Sequence, residues 1–143
     1  MYLDDIRLHM ELTVEPVRIE KEKVLLFSRN FDPFRLHCDE EYAKSTRFGR
    51  LVAPGVMSFM SFWTEVIESG FFGDELIAGK STHIEWFAPV FVDDVLTGKC
   101  RVTNIRRRNA YNGVLELTTH IYNQDGVLVL TNVTETIVKY RTE

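Results

Sequence analysis

The chain has 143 residues, of which 45% are hydrophobic and 27% charged, and its formal net charge at pH 7 is -4. A chain of this length can bury a hydrophobic core without help from disulfides or metals, and we expect a single domain over residues 1–143. An acidic chain offers no general positive field to phosphates, which argues against a nucleic-acid partner.

The two cysteines and the N-terminal residues give an indication of the cellular compartment. Cys38 and Cys100 show no Cys-x-x-Cys spacing, which favours reduced thiols over a disulfide framework. His37 and Cys38 are adjacent, and adjacent side chains rarely bind one metal, so we predict no metal site. The first ten residues carry acids instead of a basic stretch followed by an apolar run, and no segment is long and apolar enough to span a bilayer. We therefore expect a cytoplasmic protein that does not bind membranes.

The first third of the chain predicts short elements. Residues 16–19 suggest a strand, and residues 20–29 suggest a short helix because charged residues lead into an apolar run. Asp39 is a candidate N-cap for a further helix, since Glu40 and Glu41 follow it and favour the positive end of the helix dipole.

The longest predicted helix covers residues 56–69, between Pro54-Gly55 and Gly70. At 100° per residue its apolar side chains form one broad arc, and its polar side chains gather opposite. The arc contains Val56, Phe59, Met60, Trp63, Val66 and Ile67, and the polar side contains Ser58, Ser61, Glu65 and Glu68. The sequence thus predicts that the arc of this helix packs on a sheet.

The second half of the chain reads as strands, because the hydrophobic period changes from 3.6 to 2. Four runs are predicted, at residues 82–87, 90–102, 114–122 and 127–138. Asp125-Gly126 indicates a tight hairpin between the last two runs. Strands that follow a helix as a block predict an α+β fold in which an antiparallel sheet curls around the helix.

Asp32 and His37 form the candidate chemical site. Their spacing of five residues separates them on a regular helix or strand, so they can meet only across an irregular turn, which Pro33 favours. Beside the helix start at Gly55, a carboxylate and an imidazole would face unbonded backbone N–H groups suited to an enolate oxygen. Alternatively, Asp32 caps a turn and His37 is an interior histidine. We expect the other three histidines, His9, His83 and His120, to be structural.

Residues 31–55 resemble the signature of the MaoC-like dehydratases and (R)-specific enoyl-CoA hydratases, which have the hotdog fold. That signature is Asp-x-Asn-Pro-x-His, followed by an acidic short helix, Phe-Gly and an aliphatic run into the glycine that opens the central helix. The matching residues are Asp32, His37, Asp39, Ala43, Phe48, Gly49, Leu51 and Gly55. The resemblance continues in residues 85–94 and 123–126, so it covers nearly the whole chain beyond residue 15.

The resemblance implies a hotdog homodimer, or a higher homo-oligomer, that hydrates a trans-2-enoyl thioester or dehydrates the 3-hydroxyacyl thioester. CoA would be the acyl carrier, and no metal or redox cofactor would be needed. Asp32 would activate water, His37 would share that water and handle the second proton, and the Gly55 N–H would polarise the thioester carbonyl.

The chain departs from the family pattern at several positions. Phe34 and Arg35 stand where Asn-Pro is common, and Pro54 replaces a histidine. A serine that some hydratases carry on the helix falls at Met60, so that Ser58 or Ser61 would replace it. The expected substrate contacts are Ser58, Arg35 for a carboxylate on the acyl group, and Arg106, Arg107 and Arg108 for the phosphates of CoA.

Two other functions stay open from the sequence. One is thioester hydrolysis, which other hotdog proteins perform with a carboxylate on the central helix, here Glu65, although the His-Gly-Gly that often opens such helices is absent. The other is a binding module for acyl thioesters that retains the fold without turnover.

Overall fold

The structure, a computed structural model, describes residues 1–142. Its helices are α1 (Lys21–Phe31), α2 (Arg35–Cys38), α3 (Glu40–Ser45) and α4 (Gly55–Glu68), with single 3-10 turns at Leu3–Asp5 and Gly73–Glu75. Its strands are β1 (Glu11–Thr13), β2 (Val17–Arg18), β3 (Leu76–Trp86), β4 (Val95–Arg107), β5 (Asn112–Tyr122) and β6 (Leu128–Lys139).

The strands form one antiparallel sheet in the order β1-β4-β5-β6-β3, and β2 pairs with the beginning of β4. The predicted hairpin joins β5 to β6 through Gly126, whose φ of 74° suits glycine. Gly98 of β4 leaves room for the ring of Phe62 of α4, since a Cβ at Gly98 would lie 3.2 Å from that ring. The sheet therefore packs closely around the central helix, as predicted.

The face of α4 that meets the sheet differs from the predicted arc. Val56, Met60 and Ile67 are 47%, 44% and 42% exposed, whereas Met57 and Phe62 are buried. The apolar arc of this helix is wider than one sheet contact can cover. The periodicity identified an amphipathic helix, but it could not show which part of the arc faces the sheet.

Two predicted strand boundaries are also wrong. β4 begins at Val95 instead of residue 90, because the buried Asp94 accepts a hydrogen bond from the Phe91 N–H at 2.9 Å and closes a turn there. Asp93 in this turn has a φ of 72°, in the left-handed region that residues other than glycine seldom adopt but that aspartate tolerates better than most. β3 begins at Leu76, six residues earlier than predicted, because irregularities in its pairing with β6 disturb the alternating pattern.

Both cysteines are unbridged, and Cys100 is buried in the core. Burial raises the pKa of the Cys100 thiol, whose sulfur accepts a hydrogen bond from Thr119 Oγ1 at 3.1 Å. Within residues 1–142, no helix has the length and apolar character that crossing a membrane requires.

Candidate active site

Asp32 lies where α1 ends. Its N–H still donates to the carbonyl of Ser28 at 2.9 Å, but its φ and ψ of -154° and 73° leave the helix, and Pro33 follows. α2 begins at Arg35, two residues after Pro33, and makes a single helical turn. The helix is therefore interrupted between Asp32 and Arg35, which is the irregular turn that the spacing of Asp32 and His37 requires.

The turn brings the two side chains together: His37 Nε2 lies 3.5 Å from Asp32 Oδ2. His37 Nδ1 lies 2.6 Å from the carbonyl oxygen of Val52, which can only accept, so Nδ1 carries a hydrogen. This bond fixes the ring and directs Nε2 towards Asp32. The His37 side chain is 14% exposed and that of Asp32 is 47% exposed, so the carboxylate faces the open side of the pair.

The segment before α4 is anchored to both neighbouring regions. The Val52 N–H donates to Leu36 of α2 at 3.2 Å, and the Ala53 N–H donates to Val90 at 2.7 Å. Val52 also forms an isolated bridge with Phe91. These contacts hold the start of α4 beside the Asp32–His37 pair.

Gly55 is the first residue of α4, and Pro54 precedes it as the N-cap. The first helical hydrogen bond runs from the Ser58 N–H to the Pro54 carbonyl at 3.0 Å, so the N–H groups of residues 55–57 have no acceptor within the helix. A Cβ at Gly55 would lie 2.3 Å from Trp86 Nε1. Only glycine fits beneath the indole ring, and its N–H lies at the positive end of the helix dipole.

Asp32, His37 and Gly55 line one cavity of about 510 Å³. Its other polar lining residues are Ser58 and Arg47, and its wall is otherwise apolar, formed by residues 52–56 and 86–90 and by Phe48. Ser58 is fully buried, and its hydroxyl donates to the Pro54 carbonyl at 3.3 Å. Among residues 1–142 there is no cluster of three or more His, Cys, Asp or Glu side chains that could hold a metal ion.

Arg35 does not line this cavity, contrary to the expectation from its place in the turn. Its guanidinium group lies over the ring of Tyr42 at 3.9 Å from the centroid, and its Nε is 3.6 Å from Asp39 Oδ2. Asp39 in turn caps α3, accepting from the Tyr42 N–H at 3.0 Å, which agrees with its predicted role. Arg35 therefore stabilises the turn from its outer side.

Arg106, Arg107 and Arg108 are not part of the cavity lining either. Arg106 forms an ion pair with Glu135, Arg107 lies over the ring of Tyr140, and Arg108 donates to the Asn112 side chain. Each of the three has a partner on the sheet or at the chain end.

Sequence reasoning missed two cavity residues, Arg47 and Trp86. Trp86 belongs to the aromatic run before Pro89, which carried part of the family resemblance, but nothing local to it indicates contact with Gly55. Arg47 directly precedes Phe48-Gly49, and a single exposed arginine gives no signal in a sequence.

Comparison with known proteins agrees with this architecture. The family model "FAS1-like, dehydratase domain region" matches residues 9–132. The crystal structure of the MaoC-like dehydratase from Rhodospirillum rubrum superposes with a TM-score of 0.88 at 24% identity, covering 100% of this chain and 99% of that one. The chain belongs to the MaoC-like dehydratase family.

Two further similar proteins extend the comparison. The (R)-hydratase from A. caviae involved in PHA biosynthesis superposes with a TM-score of 0.75 at 26% identity, covering 96% of this chain and 98% of that one. The uncharacterized protein YdeM of Bacillus subtilis is 29% identical over 140 residues, 97% of this chain and 99% of its own. The predicted hotdog fold, an α+β arrangement with a sheet around a central helix, is confirmed, and hydration or dehydration is the chemistry that this family supports.

Glu65, the candidate for thioester hydrolysis, lies elsewhere. It is ten residues beyond Gly55 on α4, about 15 Å along the helix axis, and it lines a separate cavity with Arg18 and Lys23. No carboxylate of the middle of α4 therefore enters the cavity that contains His37.

Proposed function

We propose that this MaoC-like protein hydrates a trans-2-enoyl thioester to the (R)-3-hydroxyacyl thioester, or catalyses the reverse dehydration, with CoA as the acyl carrier. The observation that carries the proposal is the shared cavity. Asp32 and His37 approach within 3.5 Å in the same apolar-walled space as the unbonded N–H of Gly55.

The pair supplies the acid and the base. A water between Asp32 Oδ2 and His37 Nε2 would give one proton to the carboxylate while its oxygen forms a bond to C3 of the enoyl group. The electrons of the double bond then move to the thioester oxygen as an enolate. General acid–base groups placed in this way each contribute roughly 10² to 10⁴ in rate.

The helix start stabilises the enolate. The Gly55 N–H would donate to the thioester oxygen, where negative charge increases in the transition state, and the apolar wall strengthens this interaction by excluding water. The proton that Asp32 took from water passes across the 3.5 Å gap to His37 Nε2, which can accept it because the ring hydrogen is on Nδ1. As the enolate collapses, C2 takes this proton from Nε2, and both side chains return to their starting state.

A panel of enoyl-CoA thioesters tests the proposal directly. Loss of the absorbance of the conjugated enoyl thioester reports hydration, and release of free thiol, followed in the same samples, reports hydrolysis. We expect hydration without thiol release, lost in Asp32→Asn and in His37→Ala. Thiol release that depends on Glu65 would instead identify a thioesterase, and binding without either reaction would identify a binding module.

We also propose that the protein forms a homodimer through β3. Within the described chain, one edge of β3 pairs with β6 and the other pairs with no strand. The exposed Met60 of α4 and Trp63 line a shallow cavity together with Leu76 and Ser81 of β3, so the open edge continues into an apolar surface. An unpaired edge beside such a surface favours pairing with a second copy.

The dimer is tested by its mass in solution. Met60→Glu combined with Ile77→Lys should convert the dimer to monomer in sedimentation experiments, because Met60 is exposed on this surface and Ile77 is exposed on β3 itself. Val127→Lys is a suitable control, since Val127 is equally exposed but lies in the turn between β5 and β6. A monomeric wild type, or a double variant that remains dimeric, would contradict the proposal.

A further inference from the structure

Arg47 is a cation of the cavity without an anionic partner among residues 1–142. It lines the same space as Asp32 and His37, yet within residues 1–142 it makes no ion pair or side-chain hydrogen bond. Several other cations of this acidic protein are paired, for example Lys21 with Glu40. Because the proposed substrate binds in the same cavity, a guanidinium there without an ion pair is placed to meet an anion that the substrate brings.

The position of Arg47 is well defined. Its guanidinium carbon lies 4.9 Å from the centroid of the Phe48 ring, and Phe48 packs against Phe91 with centroids 6.5 Å apart. The turn itself is closed by a hydrogen bond of 3.0 Å from the Gly49 N–H to the Thr46 carbonyl. These contacts orient the side chain before a ligand arrives and reduce the conformational entropy lost on binding.

The same loop contains a comparable arginine outside the cavity. The Arg50 guanidinium lies 3.8 Å from the Phe91 centroid, also without an ion pair in the part of the chain that the structure describes, but it is not a lining residue. The two arginines therefore carry the same charge and make similar aromatic contacts, and they differ in access to the cavity.

The dimensions of the cavity indicate which part of a thioester Arg47 would meet. A sphere of 510 Å³ is about 10 Å across, so Arg47 and the Asp32–His37 pair lie within the reach of a short acyl group. The phosphates of CoA are separated from the reacting carbons by the whole pantetheine arm, which is longer than this when extended. An anion at Arg47 is therefore expected on the acyl group, where a carboxylate can accept two hydrogen bonds from the guanidinium.

We propose that Arg47 is the specificity-determining residue of the site and that the substrate is a thioester whose acyl group carries a second, free carboxylate. This inference rests on the proposed hydratase function. It assigns to Arg47 the contact that the sequence suggested for Arg35, whose guanidinium instead lies over Tyr42.

Binding measurements test the proposal without requiring turnover. Calorimetric titration would compare saturated thioesters of equal length with and without the carboxylate: succinyl-CoA against butanoyl-CoA, glutaryl-CoA against pentanoyl-CoA, and adipyl-CoA against hexanoyl-CoA. In at least one pair, wild type should bind the dicarboxylic thioester about 10-fold more tightly, as expected for one charge-assisted hydrogen-bonded contact. Arg47→Gln should abolish that preference, and the matched control Arg50→Gln should retain it.

Three results would overturn the proposal: no preference in any pair, an equal loss of affinity in Arg47→Gln for both members of a pair, or an equal effect of Arg50→Gln. Equal loss for both members would place the CoA phosphates at Arg47. The corresponding enoyl-CoA pairs then test turnover. If Arg47-dependent binding is found but no enoyl thioester is hydrated, the proposed function fails while the carboxylate assignment stands.

Discussion

The cavity around Asp32 and His37 and a groove on the outer face of the sheet both contain histidine and charged side chains. The outer groove is larger, about 860 Å³ against about 510 Å³, and is lined by residues of β1, β4 and β5 together with His9. Its charged side chains are already engaged: Lys99 Nζ is 3.8 Å from the Glu11 carboxylate, and Arg101 Nη2 donates a hydrogen bond to His9 Nδ1 at 3.2 Å.

The two cavities differ in how their backbone N–H groups are hydrogen-bonded. The strands of the outer groove use their N–H groups in the sheet, whereas the Asp32–His37 cavity is built where the chain leaves regular structure and α4 begins. Where the backbone is irregular, two side chains can point towards each other, and the N–H groups at the start of a helix can remain without an acceptor. Reactive geometry thus depends on unbonded donors and an apolar wall more than on cavity size.

Substitution of the pair should produce the largest effect. We expect Asp32→Asn and His37→Ala each to lower hydration of the best enoyl-CoA about 10² to 10⁴-fold, because each removes a proton-transfer group. Thermal unfolding should change little for Asp32→Asn, since that side chain is half-exposed. The comparison uses steady-state kinetics at saturating substrate. His120→Ala in the outer groove is the control, and an equal loss of rate there would remove the distinction between the two cavities.

Gly55→Ala should affect both stability and turnover. The added Cβ would lie 2.3 Å from Trp86 Nε1, so the indole ring or the helix must move, at a cost of about 1–3 kcal/mol in the free energy of unfolding. Displacement of the Gly55 N–H should also lower kcat, roughly 10-fold or more. A denaturant midpoint equal to that of wild type would contradict the close contact with Trp86.

Removal of charge from the outer groove should have a small effect. Lys99→Ala and Arg101→Ala should leave the hydration rate within about 2-fold of wild type and the free energy of unfolding within about 0.5 kcal/mol, as is usual for exposed ion pairs. Kinetics and urea unfolding would measure both quantities. A large rise in KM for either variant would show that this groove takes part in substrate binding.

A third charged cluster, around Glu135 on β6, should make the stability of the protein depend slightly on pH. A hydrogen bond from Arg106, and a second from Ser81, lower the pKa of the Glu135 carboxyl. A lowered folded-state pKa contributes stability that is present above the unfolded pKa and is lost as pH falls through the folded value. Wild type should therefore melt slightly above Glu135→Gln at neutral pH, and the difference should shrink in acid. A difference that widens on acidification would contradict the assignment.

The local chemistry of the sequence accounts for much of the fold. The boundaries of α4 were predicted within one residue, because Pro54-Gly55 and Gly70 punctuate an uninterrupted apolar period. The pairing of β4 with β5 and of β5 with β6, and the hairpin at Gly126, also follow from short-range signals. The place of β3 does not, because a meander of the four predicted strands would put β3 beside β4, whereas β3 pairs with β6. The boundary at Val95 did not, since a partly buried hydrogen bond from Gln124, 30 residues away, to Asp94 helps to define the turn before it.

The candidate site likewise contains residues that short-range signals identify and residues that they do not. Asp32, His37 and Gly55 could be found because Pro33 and the helix start act within a few residues, and because the family pattern marks them. The contact of Trp86 with Gly55 joins residues 31 positions apart, and no short-range pattern encodes it. Arg35 shows the opposite case: it lies between Asp32 and His37 in the sequence, yet its side chain does not line the cavity.

By itself, the sequence determined the central helix, the block of antiparallel strands and an Asp–His turn beside a helix start, since these depend on propensity, period and turn chemistry over short segments. Only the tertiary structure decided which part of the apolar arc of α4 is buried, that Trp86 covers Gly55, and that Arg47 instead of Arg35 reaches the cavity. The physical reason is that the direction of a side chain in an irregular segment is set by packing against distant residues. At residues 46–55 those partners are residues 86–91.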